Sequence, residues 1–376
     1  MSALHFGVLG PLRMTADGAD LPLGPAKQRA VLAVLLINRN RPVAVDALLN
    51  AAWRQHPPSE ARASLHTYVW NLRRLLSTAG LDPGTILVSA RPGYRLDVAD
   101  AACDVARFHI DLAAGVQAAA GGRFDQAARR LSAALTQWRA PVLDDLSEFE
   151  FAQAFAAALS EDKLVAQTLH AEAEIACGRA HLIIPELEAL VVEQPYREPL
   201  WAQLITAYYL TERQYDALAA YRRLKVTLAD DLGIDPGPTL RALHERIIRQ
   251  EPLEIKRAAM ATAQRAAATL ERRTGASEQS AVAHLRDGAG RQYPLQGAVT
   301  RIGRLPDNDI ILDDAAVSRH HAIIVDTGNS FVITDLRSAN GVQVAGNRIR
   351  GTVTLDDGDR IRISDAEFTF VLGELI

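Results

Sequence analysis

Hydrophobic periodicity changes four times along this chain, which predicts more than one folded module. Residues 4–23 alternate short apolar stretches with the turn pairs Gly10-Pro11 and Asp17-Gly18, which predicts a small antiparallel sheet. A helical period follows over Ala26 to Ile37, Val45 to Trp53 and Ser59 to Leu76. Residues 86–98 return to strand character, Ile86-Leu87-Val88 and Tyr94-Arg95-Leu96, joined by Arg91-Pro92-Gly93. Residues 101–250 then read as helix throughout. From Thr300 to Leu372 short β segments recur between turn pairs such as Asn340-Gly341 and Asp357-Gly358, as in an all-β sandwich. A length of 376 residues also predicts two to three domains.

The expected fold is therefore multidomain α+β. It has an N-terminal strand-helix-hairpin module over 1–100, an all-α repeat over 101–252, a linker over 253–280 and an all-β sandwich over 281–376. Between Lys256 and Gln279 the chain is rich in Ala and Arg with almost no large apolar residues, which predicts a helical or loose tether with few core contacts.

Several function classes are excluded at this level. The longest apolar run, Ala30 to Ile37, is far short of the roughly 20 residues a membrane helix needs. No cationic stretch leads into an apolar core and cleavage site, so no secretory signal is expected. Cys103 and Cys177 stand far apart, which fits a reducing cytoplasm better than disulfides or zinc. No Walker loop, His-Glu-x-x-His or Gly-x-Ser-x-Gly is present, so no enzyme, cofactor or metal is expected. His320 and His321 are adjacent on an expected strand and point to opposite faces.

The net charge of −4 is unevenly spread. Lys and Arg outnumber Asp and Glu by eleven to seven over residues 1–100, whereas the balance is twenty to twenty-five over 101–280 and ten to thirteen over 281–376. An anionic partner is expected at the N-terminal third.

Stepping about 100° per residue along the third helix puts Leu65, Val69, Leu72 and Leu76 on one side, with Tyr68 and Leu75 beside them. The other side carries Ala63, Thr67, Trp70 and Arg74, flanked by His66, Asn71 and Arg73, and Arg62 at the start of the helix is a further candidate contact. One dry stripe and one polar, cationic face suit a helix that reads a major groove. Strands, three helices and a hairpin in this order resemble the winged-helix output domain of the response-regulator (OmpR-like) class. That resemblance implies a recognition helix ending at Leu72-Arg73-Arg74-Leu75-Leu76 and a wing that brings Arg91 and Arg95 toward the backbone. The family writes Arg-Gly-x-Gly-Tyr at the wing; here Ala90, Arg91 and Pro92 precede Gly93.

In the helical region, Ile183, Leu187, Leu190 and Pro195 recur 34 residues later as Ala217, Tyr221, Leu224 and Ala229, with Trp201, Leu204 and Tyr208 opening the second unit. This resembles the tetratricopeptide (TPR) pattern of paired helices, and Gly122-Arg123-Phe124 with Ala127, Leu131 and Ala134 is similar to an earlier degenerate copy. The string Ala229 to Pro238 following a winged helix and helical repeat resembles the bacterial transcriptional activation domain of the antibiotic-regulatory (SARP, AfsR-like) activators.

Near the C-terminus, Gly303-Arg304, Ser318-Arg319-His320-His321 and Asn340-Gly341 resemble the forkhead-associated (FHA) signature. A phosphothreonine carries up to about two negative charges and three acceptor oxygens, so its pocket needs cationic and hydroxyl donors. The resemblance implies Arg304, Ser318 and Arg319 on the phosphate and Asn340 on the peptide backbone. Gly303, His321 and Gly341 would support the loops. Ala339 stands where such domains usually bear a hydroxyl.

The three modules in this order are similar to EmbR-type regulators of mycobacteria. That similarity implies double-stranded promoter DNA and a phosphorylated Ser/Thr protein kinase as partners, RNA polymerase as a further one, no membrane, and target genes in cell-wall arabinan synthesis. The rival reading is a phospho-dependent adaptor with little or no promoter binding, which a promoter-binding assay separates.

Overall fold

The computed structural model describes residues 3–53, 58–275, 283–295, 299–306, 308–326, 331–336, 338–349 and 352–373. Residues 276–279 of the expected tether lie outside them. The chain divides into two compact units, one of residues 1–107, 137–161 and 270–376, the other of 108–136 and 162–269.

The first unit opens with strands β1 (Leu4–Gly7), β2 (Arg13–Ala16) and β3 (Ala19–Asp20) in antiparallel order. Helix α1 (Ala26–Ile37), strand β4 (Val43–Ala44), helices α2 (Val45–Trp53), α3 (Ala61–Thr78) and α4 (Pro83–Ile86), and strands β5 (Leu87–Ala90) and β6 (Gly93–Leu96) follow. Helix α3 starts two residues later than expected, because the Ala61 amide donates to the Pro58 carbonyl and closes a turn first. The expected dry stripe is buried: Leu65, Val69, Leu72 and Leu76 are at most 2% exposed. The hairpin β5–β6 gains β4 as a third strand, with order β4-β6-β5. A Cβ on Gly93 would run into the Val43 carbonyl and lie 2.8 Å from the Val45 nitrogen, so only glycine lets β6 approach β4 this closely.

This unit does not stop at residue 100. The buried Asp104 carboxylate accepts the Val8 and Leu9 amides, each at 2.9 Å, and Leu143 donates its amide to the Gly10 carbonyl at 2.8 Å. The Leu12 amide donates to Asp145 at 2.7 Å. These bonds satisfy backbone groups between β1 and β2 that the small sheet leaves unpaired.

The same unit holds the β-sandwich. Its strands are β7 (Ala283–Asp287), β8 (Gln292–Pro294), β9 (Val299–Gly303), β10 (Ile310–Ile311), β11 (Ala322–Asp326), β12 (Phe331–Asp335), β13 (Val342–Val344), β14 (Asn347–Arg348), β15 (Thr352–Leu355), β16 (Arg360–Ile363) and β17 (Ala366–Leu372). One sheet runs β10-β9-β11-β12-β15 and the other β14-β13-β16-β17-β7-β8. Their inner faces interdigitate through Ile302, Ile324, Ile333, Val342, Ile361, Ile363 and Phe370. Strand β11 is buried on both faces. Ile324 enters the sandwich, while Ile323 and Val325 pack on Ala154 of helix α7 (Glu150–Ala176). Ion pairs Arg301–Glu150 at 3.3 Å and Arg41–Asp326 at 2.8 Å flank that contact.

The second unit is built on helices α5 (Asp104–Ala120), α6 (Phe124–Leu135), α7, α8 (Ala180–Glu193), α9 (Glu198–Leu210), α10 (Gln214–Leu232), α11 (Pro238–Ile248) and α12 (Ile255–Gly275). The 34-residue repeat falls on α8 and α10, whose Ile183, Leu187, Leu190, Ala217, Tyr221 and Leu224 enter one core with Trp201, Leu204 and Tyr208 of α9. Gly233, at φ +68°, ends α10 in the left-handed region, and Pro238 starts α11. The Gly237 amide donates to Glu198 at 2.8 Å, which ties the string to the start of α9.

The tether expectation is corrected here. Helix α12 buries Ala259, Ala263 and Ala267, four residues apart, with Ala259 against Phe124 and Ala176. Methyl side chains let a helix backbone lie close to its neighbours, so a stripe of alanines reaches a core without bulk. Under α12, burial pushes the Glu172 carboxyl up to about 7, opposed by Gln203, Thr262 and Arg265. A raised carboxyl pKa means that stability present below the ordinary value is lost as pH rises toward about 7. Glu172→Gln should remove that slope and add about 3 kcal/mol or less above pH 7. Its amide could also donate to Gln203 Oε1, which has no hydrogen-bond partner among the described residues. Urea unfolding of both proteins at pH 5 and pH 8 checks this; parallel pH dependence would refute it.

Candidate DNA and phosphopeptide interfaces

The polar face of α3 is only partly open. Arg62, Ala63, His66, Thr67, Trp70 and Arg74 are exposed together, with the Arg74 guanidinium 4.8 Å above the Trp70 ring and Trp70 itself 55% exposed. An aromatic ring this open is costly in water unless something covers it. Arg62 pairs with Asp46 at 2.7 Å, but both side chains are solvated, so the pair yields easily.

Three expected contact residues are placed otherwise. Asn71 donates to Gln28 Oε1 at 3.0 Å across to α1. Arg73 donates to the Leu87 carbonyl at 2.8 and 3.0 Å and to Ser89 at 3.0 Å, and lies over Tyr94, so it braces α3 against the wing hairpin. Arg95 forms a two-pronged pair with Asp97 at 2.6 and 2.8 Å, which neutralises it. Arg91 is exposed between β5 and β6. A helical wheel sorts residues by angle alone; it does not reveal that a flank residue faces a hairpin from elsewhere in the chain.

In the sandwich, three loops converge. Arg304 follows β9, Ser318-Arg319-His320 precede β11, and Ala339-Asn340 precede β13. The centre is His321, fully buried. Its Nδ1 accepts the Ser318 amide at 3.1 Å, so Nε2 carries the proton and donates to the Gly341 carbonyl at 3.1 Å. One neutral imidazole thereby latches two loops. Gly303 is required because a Cβ would strike the Arg319 carbonyl and lie 2.8 Å from Asn308. Asn308, which no sequence pattern singled out, donates to the Leu305 and Arg319 carbonyls at 2.9 Å and pins the same loop.

The outward groups have the chemistry of an anion site. Arg304 and Arg319 are exposed and neither has a carboxylate partner among the described residues. Arg304 Nε donates only to the Val317 carbonyl, at 3.3 Å. Ser318 Oγ accepts the Ala339 amide at 3.1 Å, which leaves its own proton free to donate. Asn340 donates to the Ala316 carbonyl at 2.7 Å, and the Gly341 amide donates to Ser338 at 3.0 Å.

Family models match the chain in three places. The C-terminal domain of transcriptional regulatory proteins matches residues 19–96, the bacterial transcriptional activator domain 103–248 and the FHA domain 300–364. The transcriptional regulatory protein EmbR of Mycobacterium tuberculosis is 65% identical over 368 residues, 98% of this chain and 95% of its own. The regulatory protein AfsR of Streptomyces coelicolor is 38% identical over 269 residues, 71% of this chain and 26% of its own. A solved structure of M. tuberculosis EmbR in complex with a low affinity phosphopeptide superposes over the whole of both chains with a TM-score of 0.92 at 64% identity. Among the described residues no helix is long and apolar enough to cross a membrane.

Proposed function

We propose, since the chain belongs to the EmbR family of transcriptional regulators, that it binds promoter DNA through the open face of α3 and takes up a phosphothreonine of a Ser/Thr protein kinase at Arg304, Ser318 and Arg319. The observation that carries the phosphate half is two exposed guanidiniums with no carboxylate partner among the described residues, Arg319 on a loop that His321 latches and Arg304 on one tied to it by the Arg304 amide to Ser318 carbonyl bond. Cationic donors carried on held loops bind a dianion with less reorganisation than donors on free ones. The DNA half rests on Thr67, Trp70 and Arg74 sharing one solvated face, with Arg62 exposed nearby on the same helix. RNA polymerase is the further partner such a regulator needs in order to act on transcription. The adaptor reading has no observation of its own in its favour.

Footprinting on promoter fragments, with and without phosphorylated kinase, tests the whole reading. Arg74→Ala should weaken binding to specific and random duplex alike and reduce the salt slope by about one, because one fewer counterion is released. Thr67→Ala should instead alter sequence preference. Unchanged affinity and slope in the double variant would show that another face meets DNA.

A further inference from the structure

The outer face of the six-stranded sheet carries a row of arginines beyond those assigned to the phosphate. Strand register sets Arg348, Gln343 and Arg362 side by side on β14, β13 and β16. Arg360, two residues before Arg362, lies on the same face beside Thr369 of β17, which neighbours Arg286 of β7. Val342, Val344, Ile361 and Ile363 are buried in the sandwich, so strand alternation turns these arginines to solvent.

All four are exposed, and none pairs with a carboxylate within 4 Å among the described residues. Glu367, opposite Arg362 on β17, is the acid that register places in the row. Arg360 and Arg362 stand about 7 Å apart along one strand, and like charges so close repel unless an anion covers them. The row also starts at the phosphate loops. A Cβ on Gly341 would lie 2.8 Å from Arg348 Nη2, so this guanidinium rests on the residue next to Asn340.

We propose that Arg348, Arg362, Arg360 and Arg286 form an electrostatic track for an acidic stretch of the same phosphoprotein whose phosphothreonine sits at Arg304, Ser318 and Arg319. This rests on the phosphate reading above. Continuity with Asn340-Gly341 favours a flanking peptide over a separate ligand, because phosphate and acidic residues on one chain engage both sites without a second loss of translational freedom. The track supplies partner preference, and the phosphate loops supply phosphorylation dependence.

The test uses the full chain and fluorescence anisotropy with phosphothreonine peptides of one core, flanked on either side by four acidic or four neutral residues. At low salt one acidic-flank peptide should bind about tenfold tighter than the neutral one, and the preference should fade at about 0.5 M salt. Arg348→Gln/Arg360→Gln/Arg362→Gln should remove the preference while neutral-flank affinity stays within about twofold. Equal binding of acidic and neutral peptides by the unmodified protein, or equal loss of both in the triple variant, overturns the track. A triple variant that keeps the peptide preference but loses duplex affinity assigns the row to DNA and also overturns it. Failure of the phosphate reading is distinguishable: unphosphorylated peptides would then bind as well as phosphorylated ones, whatever the flank.

Discussion

Arg304→Ala should lower phosphothreonine-peptide affinity by about a hundredfold or more while leaving folding nearly unchanged. The side chain is exposed and makes one long bond, to the Val317 carbonyl at 3.3 Å, so little native stability depends on it. Losing one partner of a charge pair at a binding site costs about 2–5 kcal/mol, and each 1.4 kcal/mol is about tenfold in affinity. Ala339→Ser offers a contrast. The Ala339 amide already donates to Ser318, so a hydroxyl there adds one donor and should tighten binding only modestly, by about 1 kcal/mol or less. Calorimetry with one phosphothreonine peptide and its unphosphorylated twin reads both effects. Equal binding of the twins by the unmodified protein would sink the phosphate site; a neutral Ala339→Ser would sink only the missing-donor account.

His321→Ala should cost about 2–4 kcal/mol of stability in the sandwich and much of the peptide affinity, although the His321 ring is fully buried. Removing the buried ring leaves the Ser318 amide and the Gly341 carbonyl without their partner and opens a cavity under the two loops. His321→Phe separates these contributions. A ring of similar size refills most of the space but bonds neither loop, so it should recover part of the stability and little of the affinity. Thermal unfolding with and without phosphopeptide is the measurement. Full peptide affinity in His321→Phe would show that packing alone positions Ser318 and Asn340.

The residues that set local conformation were legible in the sequence. A period of 3.6 placed α1 and α2 at the ends the structure has, and a dry stripe of Leu65, Val69, Leu72 and Leu76 needs no partner in order to be recognised. The FHA loops were legible for a different reason: Gly303-Arg304, Ser318-Arg319-His320-His321 and Asn340-Gly341 resemble a known signature, and Gly341 at φ +75° marks one of its tight turns. Contacts between distant parts of the chain decided the rest. Asn71 and Arg73 look like DNA contacts on a wheel and Arg95 on a wing, yet Gln28, Leu87 and Asp97 hold them. Asp104 closes a sheet about a hundred residues earlier in the chain, helix α12 finds a core that its alanines alone did not announce, and Arg348 reaches Gly341 only because β14 pairs with β13. Periodicity and turn chemistry act over a few neighbouring residues and are written into the chain. Which donor meets which acceptor across tens of residues depends on how elements pack, and only the folded molecule decides it.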